Sequence, residues 1–222
     1  MIRSKWTFAS LLFLTGGVLC AHAVWVEKEK GVAKAYFGEW DEDKREIAGK
    51  LLDYIRGPQA FQGSSKTSLP LTKESNHFAI PVKGTGDIRV IESTIPVNTN
   101  KNTGLKSKGI YIAKYGRTET AAASDLELVP VAANANTFRL LLRGAAAPKV
   151  QVEVVGPPRW RKSFMTDDQG QVTIETPWAG PYLLEAVHVV KGAGGEGADA
   201  YDQIRFVTTV FFENAKGISW KK

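Results

Sequence analysis

Tyr182-Leu183-Leu184-Glu185-Ala186-Val187-His188-Val189-Val190 is the stretch that decides the fold. It is apolar and rich in valine, with Trp178-Ala179-Gly180-Pro181 before it and a glycine-rich segment, 191–200, after it. Such a bounded run reads as a strand. Alternation then puts His188 on one face with Tyr182 and Leu184, and Glu185 and Val187 on the other. Similar runs recur outward from it, at 126–131, 138–143, 150–155, 164–165, 172–175 and 204–213. They are separated by Asn-rich, Ala/Pro-rich and Gly-Pro-Pro segments and by Asp167-Asp168-Gln169-Gly170. Short strands at roughly ten-residue spacing with turn chemistry between them indicate an immunoglobulin-like β-sandwich over 125–222.

The first half is also β-rich. Runs at 24–27 and 32–37 flank the polar turn Lys28-Glu29-Lys30-Gly31. Those at 77–82 and 88–92 flank the hairpin-type turn Gly84-Thr85-Gly86-Asp87, and 109–115 is a further strand. Between them, Asp41-Glu42-Asp43 predicts the acidic first turn of a helix, with Ile47, Ala48, Leu51, Leu52 and Ile55 as its apolar stripe and Gly57-Pro58 as its stop. The segments 59–75 and 98–108 read as loops. With a boundary in the small, polar stretch 118–124, the expected fold class is all-β. It comprises two immunoglobulin-like β-sandwich units, 22–120 and 125–222, with one helix in the first.

The N-terminus reads as an export signal. Arg3 and Lys5 precede an apolar run ending at Cys20, too short for a membrane span of about 20 residues. Ala21-His22-Ala23 then offers small residues for cleavage after Ala21 or after Ala23, giving a signal peptide over 1–21 or 1–23. A lipid anchor on Cys20 is disfavoured by Leu19 before it. The single cysteine lies in the signal, so the exported chain has no disulfide and no thiolate chemistry. Removal of Arg3 and Lys5 leaves 27 basic against 23 acidic residues. The densest basic group, Arg159, Arg161 and Lys162 around Trp160, has no nucleic-acid-binding signature around it and reads as a solvated loop.

No phosphate loop, dinucleotide fingerprint or Gly-x-Ser-x-Gly elbow is present. Nor does any local pattern mark a nucleophile with its base or a paired acid and base. The expectation is a protein that is not an enzyme. Metal chemistry would fall to His22, His77 and His188, which lack a His-x-His or His-Glu-x-x-His spacing. His22 stands out by position. As a first residue it would chelate through its ring and its free amine, whose pKa is roughly 7.7–8.0. Imidazole suits nickel, copper and zinc, with copper favoured by the affinity order.

Ala21-His22-Ala23-Val24-Trp25-Val26-Glu27, followed by Ala35-Tyr36-Phe37-Gly38-Glu39, resembles the start of a bacterial exported family of unknown function associated with nickel and cobalt uptake. Leu126-Glu127-Leu128-Val129-Pro130, Thr166-Asp167-Asp168-Gln169-Gly170-Gln171-Val172 and Gly180-Pro181-Tyr182-Leu183-Leu184-Glu185-Ala186-Val187-His188 fit the same pattern. The second half also looks like a carboxypeptidase-regulatory or transthyretin-like sandwich. The resemblance implies a soluble periplasmic protein that handles nickel, cobalt or another divalent ion beside a metal-uptake membrane transporter. His22 and Trp25 match that family's spacing, and His22, His188 and His77 are the proposed ligands. The alternative is an immunoglobulin-like cell-envelope module without metal, binding a protein or glycan through Trp160, Trp178 and Trp220.

Overall fold

Lys30 and Gly31 both have positive φ, 47° and 82°. That conformation matches the twist of a two-residue hairpin. It joins β1 (Ala23–Glu29) to β2 (Val32–Glu39), setting Val24 opposite Phe37 and Trp25 opposite Tyr36. The computed structural model describes residues 22–220. The proposed signal, with Arg3, Lys5 and Cys20, lies outside the described residues.

The first half continues with β3 (Lys44–Arg45), β4 (Gln59–Gln62), β5 (Thr72–Lys73), β6 (Phe78–Pro81), β7 (Ile88–Glu92), β8 (Asn98–Thr99) and β9 (Lys106–Tyr115). The second half supplies β10 (Leu126–Pro130), β11 (Thr137–Leu142), β12 (Ala145–Ala146), β13 (Gln151–Gly156), β14 (Trp160–Met165), β15 (Gln171–Thr173), β16 (Gly180–Gly194) and β17 (Tyr201–Asn214). These strands build three sheets. One runs β1-β2-β6-β5, with β3 on β2. A small one runs β10-β11-β12, with β15 on β11. The central sheet runs β14-β13-β16-β17-β9-β7-β4, with β8 on β9. The fold is all-β, with short 3-10 turns and no α-helix among the described residues.

The boundary proposed near 120 lies in the loop between β9 and β10, yet strands from both sides of it share the central sheet. β17 pairs in parallel with β9, Phe206 beside Ile110 and Phe211 beside Tyr115. Parallel neighbours need a crossover, and here the strands β10 to β16 make it. The turn at 84–87 does not close a hairpin. It carries the chain from β6 in the first sheet to β7 in the central one.

Strand alternation divides the central sheet into two buried faces. On one, Val152, Val154, Tyr182, Leu184, Ala186, Phe206, Val210, Phe212 and Ile112 pack against Leu126, Leu128, Phe138 and Leu140 of the small sheet. The other meets β1, the edge strand of the first sheet. Val24 and Val26 join Ile88, Val90 and Ala113, while Trp25 on the opposite side of β1 packs with Leu183 and Phe211. The Thr209 hydroxyl donates to the Val24 carbonyl at 2.7 Å, covering an edge acceptor where the two sheets meet. Thr209→Val should therefore orphan a buried carbonyl and cost about 1–3 kcal/mol. Thr209→Ser should restore most of it, read from urea unfolding midpoints.

The expected helix over the acidic start and apolar stripe is not formed. Lys44 and Arg45 pair with Glu39 and Gly38 instead, and the Glu46 and Ala48 amides donate to Phe37 and Ser75 carbonyls. Gly49 sits at φ 82°, left-handed backbone that a helix interior does not admit. Only a 3-10 turn at Leu51–Tyr54 follows. The stripe splits accordingly: Leu52 and Ile55 are buried, whereas Ile47 is 42% and Leu51 39% exposed. Pairing with β2 and the loop before β6 satisfies these amides, so the local periodicity is overridden.

Candidate functional site

His22 precedes β1 directly, and the hairpin register places it across from Glu39 at the end of β2. β3 then returns the chain so that Glu46 reaches the same spot. Nε2 of His22 lies 2.6 Å from Glu46 Oε1 and Nδ1 lies 3.3 Å from Glu39 Oε1. Lys44 Nζ is 2.8 Å from the same Glu39 oxygen and 3.7 Å from Glu46 Oε1. The ring packs on Phe37 with centroids 5.2 Å apart. The hydrogen bond from Lys44 holds the Glu39 carboxyl below the usual carboxylate range, with the Lys44 and His22 charges adding to it. The same bond raises Lys44.

Trp25, three residues on, faces the opposite side of the strand from His22. It is fully buried, stacks on Tyr36 at 5.4 Å and donates to Glu27 at 3.0 Å. The His22-x-x-Trp25 spacing thus pairs an accessible end with an anchor that fixes β1 on the central sheet.

The three histidines are not brought together. His77 leans on Tyr36, with ring centroids 5.5 Å apart, and its Nδ1 is 2.8 Å from Asn76 Oδ1. Tyr36 and Phe37 are successive β2 residues on opposite faces, so His77 and His22 sit on different sides of that strand. Burial, helped by Lys34, pushes His77 below the usual imidazole range. His188 is on β16 opposite Phe206, on the face toward the small sheet. Among the described residues no three His, Cys, Asp or Glu side chains are arranged to hold a metal ion. The two carboxylates beside His22 face opposite ring nitrogens and do not converge on one point.

Glu185 is a largely buried carboxyl to which the sequence assigned no role. It lies across β13–β16 from Glu153, beside a cavity of about 20 Å³ also lined by Ala23, Trp40, Asp41 and Arg161. Burial raises its carboxyl to about 7; Arg205 and Arg161 oppose the shift, Asp41 and Glu153 add to it. Nothing local in the sequence marks it, because Asp41, Arg161 and Arg205 arrive from three distant segments.

The basic group around Trp160 belongs largely to β14 rather than a loop. Arg161 pairs with Asp41, and Lys162 with Glu175 at 2.8 Å. Trp160 and Trp178 are in edge contact, with centroids 5.6 Å apart, while Trp220 is exposed. No helix among the described residues is long and apolar enough to cross a membrane.

No family model matches this chain, and no curated protein or solved structure does so either.

Proposed function

We propose that the protein is an exported, non-enzymatic binder of a divalent transition metal, nickel, cobalt or copper, held at His22 and passed to a metal-uptake membrane transporter. One observation carries this reading. Of the three histidines, His22 has carboxylate oxygens facing both ring nitrogens, with Glu39 Oε1 3.3 Å from Nδ1. Nδ1 is the ring nitrogen that chelates together with the α-amine of a first residue. Cleavage after Ala21 would free that amine and leave β1 whole, whereas cleavage after Ala23 would remove His22 and the first residue of the strand. Amine, Nδ1 and the Glu39 carboxylate then make a three-donor set for an ion that favours nitrogen. His77 and His188 take no part in it.

Calorimetric titration of the chain beginning at His22 with nickel, cobalt and copper is the test. One ion should bind with micromolar or tighter affinity, and His22→Ala or N-terminal acetylation should abolish it. Binding should strengthen as pH rises through about 7.7–8.0, where the amine loses its competing proton. Lys44→Ala, which removes a cation from the Glu39 carboxylate, should tighten it. No binding tighter than millimolar would overturn the reading.

A further inference from the structure

Four chain segments meet beyond the ends of β9, β11, β15 and β17 and enclose an open groove of about 340 Å³. Its lining is Arg117, Asn134, Asn136, Thr176, Asn214, Lys216 and Gly217. That volume is at the lower end for small-ligand sites, which run roughly 300–1,000 Å³. Both charged side chains in it are cationic. Arg45, Arg89 and Arg161 each meet a carboxylate. Arg117 has no carboxylate within salt-bridge distance among the described residues. Its guanidinium lies 4.1 Å over the Phe212 ring, and Nη1 donates to Asn136 Oδ1. Burial alone lowers its pKa, with no anion offsetting it. A half-buried cation without a counter-ion costs free energy that an anionic ligand would recover.

The walls are tied in place. Asn136 donates to Thr176 Oγ1 at 2.8 Å, which leaves the Thr176 hydroxyl proton available. Asn214 donates to the Thr176 and Trp178 carbonyls at 3.2 and 2.9 Å. A Cβ at Gly217 would lie 2.7 Å from the Pro177 carbonyl oxygen, so glycine lets the last segment close on this loop. The Asn134 backbone amide donates to the Arg117 carbonyl at 2.8 Å, and its exposed side-chain amide stays free for a ligand.

We propose that this groove binds an acidic sugar. The Arg117 guanidinium and the Lys216 ammonium take the carboxylate of a hexuronic acid unit, while the Asn134 amide and Thr176 hydroxyl bond to its ring hydroxyls. One guanidinium at depth and one ammonium at the rim suit a monoanion. Amide and hydroxyl groups beside them suit a polyhydroxylated ring over a bare ion. The site is separate from His22 and independent of the metal reading.

Titration of the folded chain with glucuronate and galacturonate, followed by amide and side-chain NMR shifts, tests this. Saturable binding is expected, with shifts centred on Asn134, Asn136 and Lys216. Lys216→Ala should weaken it at least tenfold, and glucose should not bind. Arg117→Gln should abolish binding; because that change also removes the contact with Phe212, the exposed Lys216→Ala variant decides if Arg117→Gln fails to fold. Absence of saturable uronate binding, unchanged binding in Lys216→Ala, or tighter binding of inorganic phosphate than of either uronate would each overturn the proposal.

Discussion

Replacing Glu127 with alanine is expected to destabilise the protein by about 3–5 kcal/mol, the cost of breaking a buried ion pair from one side. Glu127 is fully buried at the second position of β10. Its Oε1 accepts from Arg89 Nε at 2.8 Å and lies 3.2 Å from Lys114 Nζ, while Oε2 accepts from the Ala123 amide at 2.8 Å. Burial pulls Arg89 down, but Glu127 and Glu119 more than offset it. Burial wins for Lys114, which stays below the usual lysine range despite Glu127. Without Glu127 two buried cations would face each other across β7 and β9. At about 2–4 °C per kcal/mol for a chain of this size, Tm should fall by about 10 °C.

The defect has a pH signature. A lysine with a depressed folded pKa binds fewer protons folded than unfolded, so stability rises with pH until both states are neutral. Loss of Glu127 depresses Lys114 further. The defect should therefore shrink as pH climbs toward about 10.4, and Lys114→Met should rescue part of it at neutral pH. A loss below about 1 kcal/mol at neutral pH would show that the network adds little to stability.

Glu185→Gln should act in the opposite direction. The carboxyl titrates near 4.5 when exposed and at about 7 in the fold, chiefly through burial. Between those values the folded state holds a proton that the unfolded state has released, so wild-type stability falls as pH rises through this window. Glutamine resembles the protonated acid and does not titrate. The two proteins should be equally stable below pH about 4.5. Above pH about 7 the variant should exceed wild type by on the order of 3 kcal/mol, at 1.36 kcal/mol per pKa unit. Chemical unfolding at several pH values checks it. Parallel wild-type and variant curves would mean that Glu185 is solvated and carries no shift.

Much of the strand content was legible because its signal is local. Alternation placed Tyr182, Leu184 and His188 on one face, and Glu185 and Val187 on the other, without knowledge of partners. The short strands β3, β4, β5 and β8 were not legible. Two to four residues carry no periodicity, and only their partners make them strands. The same cause undid the expected helix, since Ile47, Leu51 and Leu52 have helical spacing but the neighbouring Glu46 and Ala48 amides donate to Phe37 of β2 and to Ser75. At the candidate site, the sequence singled out His22 by its position near a cleavage motif. Glu39 and Glu46 could not be foreseen beside it, since hairpin register and the return of β3 put them there.

By itself the sequence determined an all-β chain whose single cysteine excludes an internal disulfide, the main strands and the turns between several of them. These follow from residue type and short-range periodicity, which act within a few residues of chain. Tertiary structure alone decided that β17 joins β9 in one sheet, that His22, His77 and His188 part company, and that Arg117 faces a groove with no carboxylate beside it among the described residues. Each depends on contacts between residues many positions apart, whose pairing is set by the burial of whole faces and not by any local pattern.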